Sequence, residues 1–296
     1  MEKAVSRDEG VSATSMALGG VSARLWLLAA TGVALVIGYH RLIFSHAPMM
    51  FTDPKEDMSF AWYVPVFSLY VVWRERAKIA DSMRDPSWVG ALAALPFLFL
   101  GFLGTRGIQV RLEMLAFAGL LLTLPWAFFG SGTAKAIVFP VGFLLFCVPM
   151  ASFLDVVTVH LRLFATSTAE GILRGAGVDV VRTGTMLATA GGAFVIDIAD
   201  PCSGLRSIFA LMALTAGYAY FTQPTWIRRA ILFSLSIPLA VAGNVTRVLS
   251  IVMVGTYASG PFAMGFYHDY SGYVVFIVAI FLMVVCGEAI SKAFDR

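Results

Sequence analysis

The stretch AILFSLSIPLAVAGNVTRVLSIVMVGTYA, residues 230–258, holds 29 residues and a single formal charge, Arg247. A bilayer-spanning helix needs about 20 apolar residues, with a range of roughly 17–25. This run exceeds one crossing and contains Pro238, so it tilts, kinks or extends beyond the hydrocarbon. An arginine inside such a run costs about 2.5–3.5 kcal/mol on insertion scales, so it faces a bundle interior or water, or snorkels to headgroups. At about 1.5 Å per residue, Arg247 stands roughly 26 Å along the helix from Ala230, near the far boundary. The apolar run Val248–Gly255 beyond it argues against simple snorkelling. Asn244 lies three residues earlier, on the same helix face.

The rest of the chain agrees with this reading. Of its 296 residues 59% are hydrophobic and 13% charged, and the mean hydropathy is +0.83. Soluble domains carry about 25% charged residues. The composition excludes a soluble globular, disordered, collagen-like or disulfide-stapled fold and points to an all-α polytopic membrane bundle. Eight segments read as spans: Leu25–Phe44, Met58–Trp73, Trp88–Gly104, Leu112–Phe129, Ala136–Leu154, Leu205–Phe221, Ala230–Ala258 and Ser271–Ile290. Residues 1–23 form a polar tail, too long and too acidic for a signal-peptide n-region, so the first span reads as a retained anchor. Residues 24–296 read as one transmembrane domain.

With the N-terminus inside, 12 of the 21 Lys and Arg residues fall on inner segments. The last outer loop, 259–270, has none, and the bias favours both termini inside. No basic run suggests nucleic acid. The one long connection, between spans five and six, then lies outside. In it, Asp155–Gly175 has apolar Val156, Val159, Leu163, Ile172 and Leu173 among Arg162, Glu170 and Arg174, the pattern of an amphipathic helix lying at the interface. Val178–Val181 and Ala193–Ile198 read as two short strands around Gly191-Gly192.

Three polar features fall on the outer side. Cys202 lies in Asp200-Pro-Cys-Ser-Gly-Leu-Arg-Ser207, where Ser203 is a good N-cap for the sixth span. A helix N-terminus favours the thiolate, as does Arg206 one turn on, whereas Asp197 and Asp200 oppose it. Cys147 and Cys286 sit in apolar runs and read as inert packing residues. The second feature is the Asn244–Arg247 pair. The third is His268, just before the last span among interfacial aromatics. His40, His46 and His160 show no metal-ligand spacing with it or with each other, and neither a metal nor a cofactor is implied. A thiol, a guanidinium and an imidazole suffice for covalent acyl transfer: Cys202 as nucleophile, His268 moving protons, Arg247 stabilising a thiolate or an oxyanion.

These motifs, in this order, resemble the exosortase/archaeosortase family of membrane cysteine transpeptidases. The similar residues are Pro201-Cys202-Ser-Gly-Leu-Arg-Ser207, then Pro238 through Asn244-Val-Thr-Arg247, then His268 with Gly272. Tyr63-Val-Pro65 through Arg74 and Phe139-Pro140 through Pro149 are similar to further family regions, although Ser59-Phe-Ala-Trp62 stands where the family has a Ser-His pair. The resemblance covers about residues 58–290. It implies a Cys202–Arg247–His268 triad, supported by Arg206, Asn244 and Ser203. It implies secreted substrates of the PEP-CTERM kind, with a C-terminal motif, transmembrane helix and basic cluster. These would be cleaved through a thioester and passed to an unknown acceptor, in protein sorting at the cell surface or export with exopolysaccharide. The enzyme would sit in the cell membrane with its site facing outward. Residue reading alone keeps open simple hydrolysis and, from another class, a transporter or export-complex subunit that uses Arg247 and Asn244 along a substrate path.

Overall fold

The computed structural model describes residues 23–53, 58–149, 155–189, 192, 194–197 and 205–295. It is almost wholly helical, because a backbone surrounded by lipid must satisfy its N–H and C=O groups within each segment. The chain is an all-α integral membrane protein that carries one small sheet. It divides into two compact units, Met1–Pro149 and Met150–Arg296.

In the first unit, α1 (Ala23–Gly38) is followed across a 57° bend by Leu42–Thr52, which ends in α2 (Ala47–Thr52). Next come α3 (Tyr63–Arg74), α4 (Arg76–Asp81), α5 (Trp88–Gly107) and α6 (Val110–Phe143). α5 and the start of α6 form a close antiparallel hairpin. A Cβ at Gly90 would stand 2.5 Å from the Ala127 nitrogen, and one at Gly104 would stand 2.9 Å from the Glu113 nitrogen. The turn between them places Ile108 in the left-handed region, φ 52°. α6 is two helices that meet at Gly130, where φ is 80° and ψ 176°. The fourth and fifth apolar segments read from the sequence fall on its two arms. The last residues of the fifth segment, 150–154, lie outside the described residues.

The second unit is built around α8 (Leu205–Thr222), α9 (Trp226–Tyr257) and α11 (His268–Phe294), with α10 (Gly260–Phe262) a single turn before α11. Thr225 caps α9, its side chain accepting from the Arg228 N–H at 3.4 Å. Three clusters mark levels along α9. At its N-terminal end Leu232 packs with Ala219 and Met283. In the middle Ala240 packs with Ile208, Leu211 and Ala279. Towards its C-terminal end Val248, Ile251 and Val252 pack with Ala169, Leu173, Val180, Leu187, Phe194 and Ile196. α8 and α11 therefore run antiparallel to α9. Thr215 on α8 donates to Leu211 O at 2.6 Å and to Met283 Sδ on α11 at 3.0 Å.

The third cluster is a cap formed by α7 (Asp155–Gly175) and a three-stranded antiparallel sheet, β1 (Val180–Thr183), β2 (Met186–Thr189) and β3 (Val195–Asp197). α7 has the bounds its periodicity predicts; of the apolar residues read as facing the interface, Val159 and Ile172 are exposed and Leu173 is buried. Ala165, Thr166, Ala169 and Leu173 are buried. Leu161 joins the middle cluster while Ala169 and Leu173 join the third, so α7 runs alongside α9 in the same direction. The sheet has a strand more than expected. Met186-Leu-Ala-Thr189 carries little β-branched character, and it pairs because the two-residue turn Gly184-Thr185 folds it back on β1, with Gly184 at φ 64°.

Among the described residues four helices are long and apolar enough to cross a bilayer, or five if the bent α1 pair counts as one span. Eight apolar segments were expected. α3 and the second arm of α6 are helical but shorter than the usual span, and α8 has 18 residues. Apolar composition reports what surrounds a segment; helix length decides whether it reaches both faces alone.

Candidate active site

The side chains of interest lie around the middle of α9 and the start of α11. Ser207 in the first turn of α8, Asn244 and Arg247 on α9 and Gly272 on α11 form the polar end of a narrow cleft. Leu211, Ala240, Val275, Phe276 and Ala279 line the rest. Its volume of about 20 Å³ admits roughly one water molecule. The Asn244–Arg247 spacing read from the sequence therefore does put both residues on one face, against the same cleft.

Arg247 and His268 meet. Arg247 Nη2 donates to the His268 carbonyl at 3.0 Å and lies 3.3 Å from His268 Nε2. A guanidinium only donates, so Nε2 accepts and the ring proton sits on Nδ1. Nδ1 lies 3.3 Å from Asp269 Oδ1. The imidazole is thus bracketed by a cation on one nitrogen and a carboxylate on the other. The His268 side chain is 14% exposed and that of Asp269 73%. Ser271 also donates to the His268 carbonyl, at 3.2 Å. Arg247 Nε is buried with no hydrogen-bond partner among the described residues.

Two backbone features produce this arrangement. Residues Ala263–Tyr267 form a π-helical turn, irregular at Gly265 (φ −96°, ψ −107°), which sets the rotation at which His268 enters α11. Gly272, one turn later, leaves room for the arginine: a Cβ there would meet the guanidinium Cζ at 3.3 Å and Nη2 at 3.4 Å. The sequence suggested Gly272 through a motif but not this contact, and nothing in it singled out Asp269.

Cys202 and Ser203 lie outside the described residues, as does the side chain of Arg206. What is described is the chain on either side. Ile196 of β3 packs at the level of Val248–Val252, and Ile208 of α8 at the level of Ala240. Arg247 lies between those levels on the same helix. Away from the site, His46 Nδ1 faces Glu113 Oε2 at 3.4 Å and His40 Nδ1 lies 2.8 Å from Ile37 O. Cys147 is buried and Cys286 half-buried, both as free thiols. No group of three metal-binding side chains occurs among the described residues.

No curated protein and no solved structure matches the chain. The family model of transmembrane exosortases (Exosortase_EpsH) matches residues 52–285, which include α3, the cap, and Cys202, Arg247 and His268. The chain belongs to the transmembrane exosortase family.

Proposed function

We propose that this protein is a cysteine transpeptidase that cleaves the C-terminal sorting tails of secreted proteins, with Cys202, Arg247 and His268 as its reacting groups. The observation that carries the reading is the Arg247–His268 contact, made across 21 positions of sequence. The anchors of the Cys202 segment on both sides of Arg247 support it further. Leu205 is three residue steps beyond Cys202, so the chain cannot carry it farther than about 11 Å from the α8 start.

In the reaction, His268 Nε2 exchanges its arginine contact for the Cys202 thiol and takes the proton. The thiolate attacks the scissile carbonyl, and Arg247 stabilises first the thiolate and then the oxyanion. The C–N bond breaks, the leaving amine takes the proton from His268, and a thioester remains. An acceptor nucleophile, deprotonated by His268, attacks the thioester and expels the thiolate. Asp269 keeps the imidazole in the tautomer this sequence needs. A tight Arg247–His268 pair is a poor feature for a transporter path, where a cation must stay free to release its cargo.

The site lies at the end of the bundle opposite the basic residues Arg228, Arg229 and Lys292. By the positive-inside rule this supports an outward-facing site in the cell membrane, and with it eight crossings in which the short helices take part. Phe266 and Tyr270 stack at 4.4 Å beside His268 and are exposed, as suits a membrane boundary.

The test is co-expression with a secreted protein bearing a motif, transmembrane helix and basic tail. Wild type shortens it, whereas Cys202→Ala, Arg247→Ala and His268→Ala do not, at matched expression. Mass spectrometry of the new C-terminus separates transfer from hydrolysis. Normal processing by Cys202→Ala would overturn the reading.

A further inference from the structure

The cleft between α8, α9 and α11 has two unlike ends. At one end the Arg247 guanidinium lies over Gly272, where a Cβ would meet its Cζ at 3.3 Å. From there the cleft descends to Ala240 and Ala279, which belong to the middle cluster and are buried. Seven of its ten lining residues, among them Leu211, Val275 and Phe276, bring no polar side-chain atom, so most of the wall is hydrocarbon. A water needs several polar partners and finds them only where Ser207, Asn244 and Arg247 stand.

A glycine sets the width. A Cβ at Gly243 would stand 3.0 Å from Val275 Cγ1, so α9 and α11 nearly touch one turn from Arg247. With a volume of about 20 Å³ the space takes one water-sized group, which a methyl matches and a branched side chain exceeds. The close-packed walls give little, because added methylenes in a packed interior force side chains and backbone to shift.

The chemistry decides which methyl reaches the mouth. In the transpeptidase reading Arg247 stabilises the oxyanion formed at the scissile carbonyl. The Cβ of the residue that owns this carbonyl lies about 2.5 Å from the carbonyl carbon, whereas that of the following residue lies beyond the C–N bond being broken. With the oxygen on Arg247, the side chain before the cut is the one set at the opening of the cleft.

We propose that this cleft is the pocket for the side chain of the residue whose carbonyl is attacked, and that it selects alanine there. The identity of the ligand as a sorting tail rests on the transpeptidase reading. Gly243 and Val275 act as the residues that set the size limit.

The experiment starts from a tail that the full-length wild type shortens, with the cut mapped by mass spectrometry. Pairs of tails carrying Gly, Ala, Val or Leu just before the cut compete for the same enzyme, and relative kcat/KM is read from the product ratio. A second series varies the residue just after the cut. Before the cut, Ala should exceed Val and Leu by about 10–200-fold, the usual worth of a methylene in a fitted pocket, and Gly by about 4-fold. Val275→Ala widens the cleft opposite Gly243 and should bring Val within about 3-fold of Ala. Gly243→Ala narrows it and should place Gly above Ala. Both tails meet one enzyme sample, so the ratios do not depend on how much of a variant folds. A flat or inverted order in wild type, a preference confined to the residue after the cut, or ratios that ignore both variants overturn the proposal. Cleavage that persists in Cys202→Ala would sink the transpeptidase reading, while ratios that follow Val275 and Gly243 would leave this pocket standing. A flat series with Cys202-dependent cleavage would do the reverse.

Discussion

Arg228 and Arg247 sit on one helix, α9, about 28 Å apart at 1.5 Å per residue, close to the thickness of a bilayer core. They are held in different ways. Arg228 is closed: Nη1 donates to Asp295 at 2.9 Å, Nη2 to the Phe294 carbonyl at 3.2 Å, and its guanidinium lies 5.1 Å from the Phe294 ring centroid. Arg247 is open: its partners are a carbonyl and an imidazole, and no carboxylate neutralises it among the described residues, while the Nε of both arginines is buried without a partner. An arginine that ties two helix ends together meets its counter-charge within the fold. One that must meet a charge arriving later does not.

The largest expected effect tests that difference directly. Arg247→Lys keeps the charge but loses the planar fork, and should lower the initial rate of tail cleavage by about 100-fold or more, the cost of losing one oxyanion donor. Arg228→Lys should stay within about 3-fold of wild type, as suits an exposed ion pair. Rates normalised to membrane-inserted protein decide it; equal losses would erase the distinction.

The cap comes next, because it holds the open end in place. Phe194 packs its ring against Gly255 of α9, where a Cβ would meet ring carbons at 2.6 and 2.7 Å. Gly255→Ala should destabilise the protein by about 1–3 kcal/mol, the usual cost of overpacking. It would be seen as a lower Tm and as faster proteolysis between β3 and α8. Unchanged proteolysis would mean that the cap does not brace the Cys202 segment.

Much of this was legible in the sequence, for identifiable reasons. Arg247, Asn244 and His268 stood out because charge and amide groups are expensive in an apolar run. The bounds of α7 followed from its periodicity. The Arg247–His268 contact was not legible, since the π-helical turn at Ala263–Tyr267 sets which way His268 points. The break at Gly130 falls between the fourth and fifth apolar segments read from the sequence, and φ shows that the two helices meet at this one glycine. The eight apolar segments were legible, but apolar composition does not give helix length, and among the described residues four helices, or five with the bent pair, are long enough to span alone.

Gly272→Ala sharpens the comparison at the open end alone. The added methyl meets the guanidinium at 3.3–3.5 Å, a crowding that a flexible side chain relieves by moving a few tenths of an ångström. Stability should hardly change, but small displacements of positioning groups are costly in rate, and a loss of about 10-fold is expected. A Tm drop with no separate rate effect would make Gly272 a packing residue.

The smallest effect is expected at the closed end. The Asp295 side chain is 65% exposed and that of its partner Arg228 11%, so solvent screens the pair and its contribution lies at about 0–1 kcal/mol. Asp295→Asn should move Tm by less than about 2 °C, because Arg228 keeps the Phe294 carbonyl and ring. Tail cleavage should be unchanged, since the closed end lies a bilayer's width from His268. This small result constrains the argument as much as the large one. If neutralising Asp295 slowed cleavage as Arg247→Lys does, the two ends would be coupled through α9, and a carboxylate partner within the fold would no longer separate Arg228 from the arginine proposed to react.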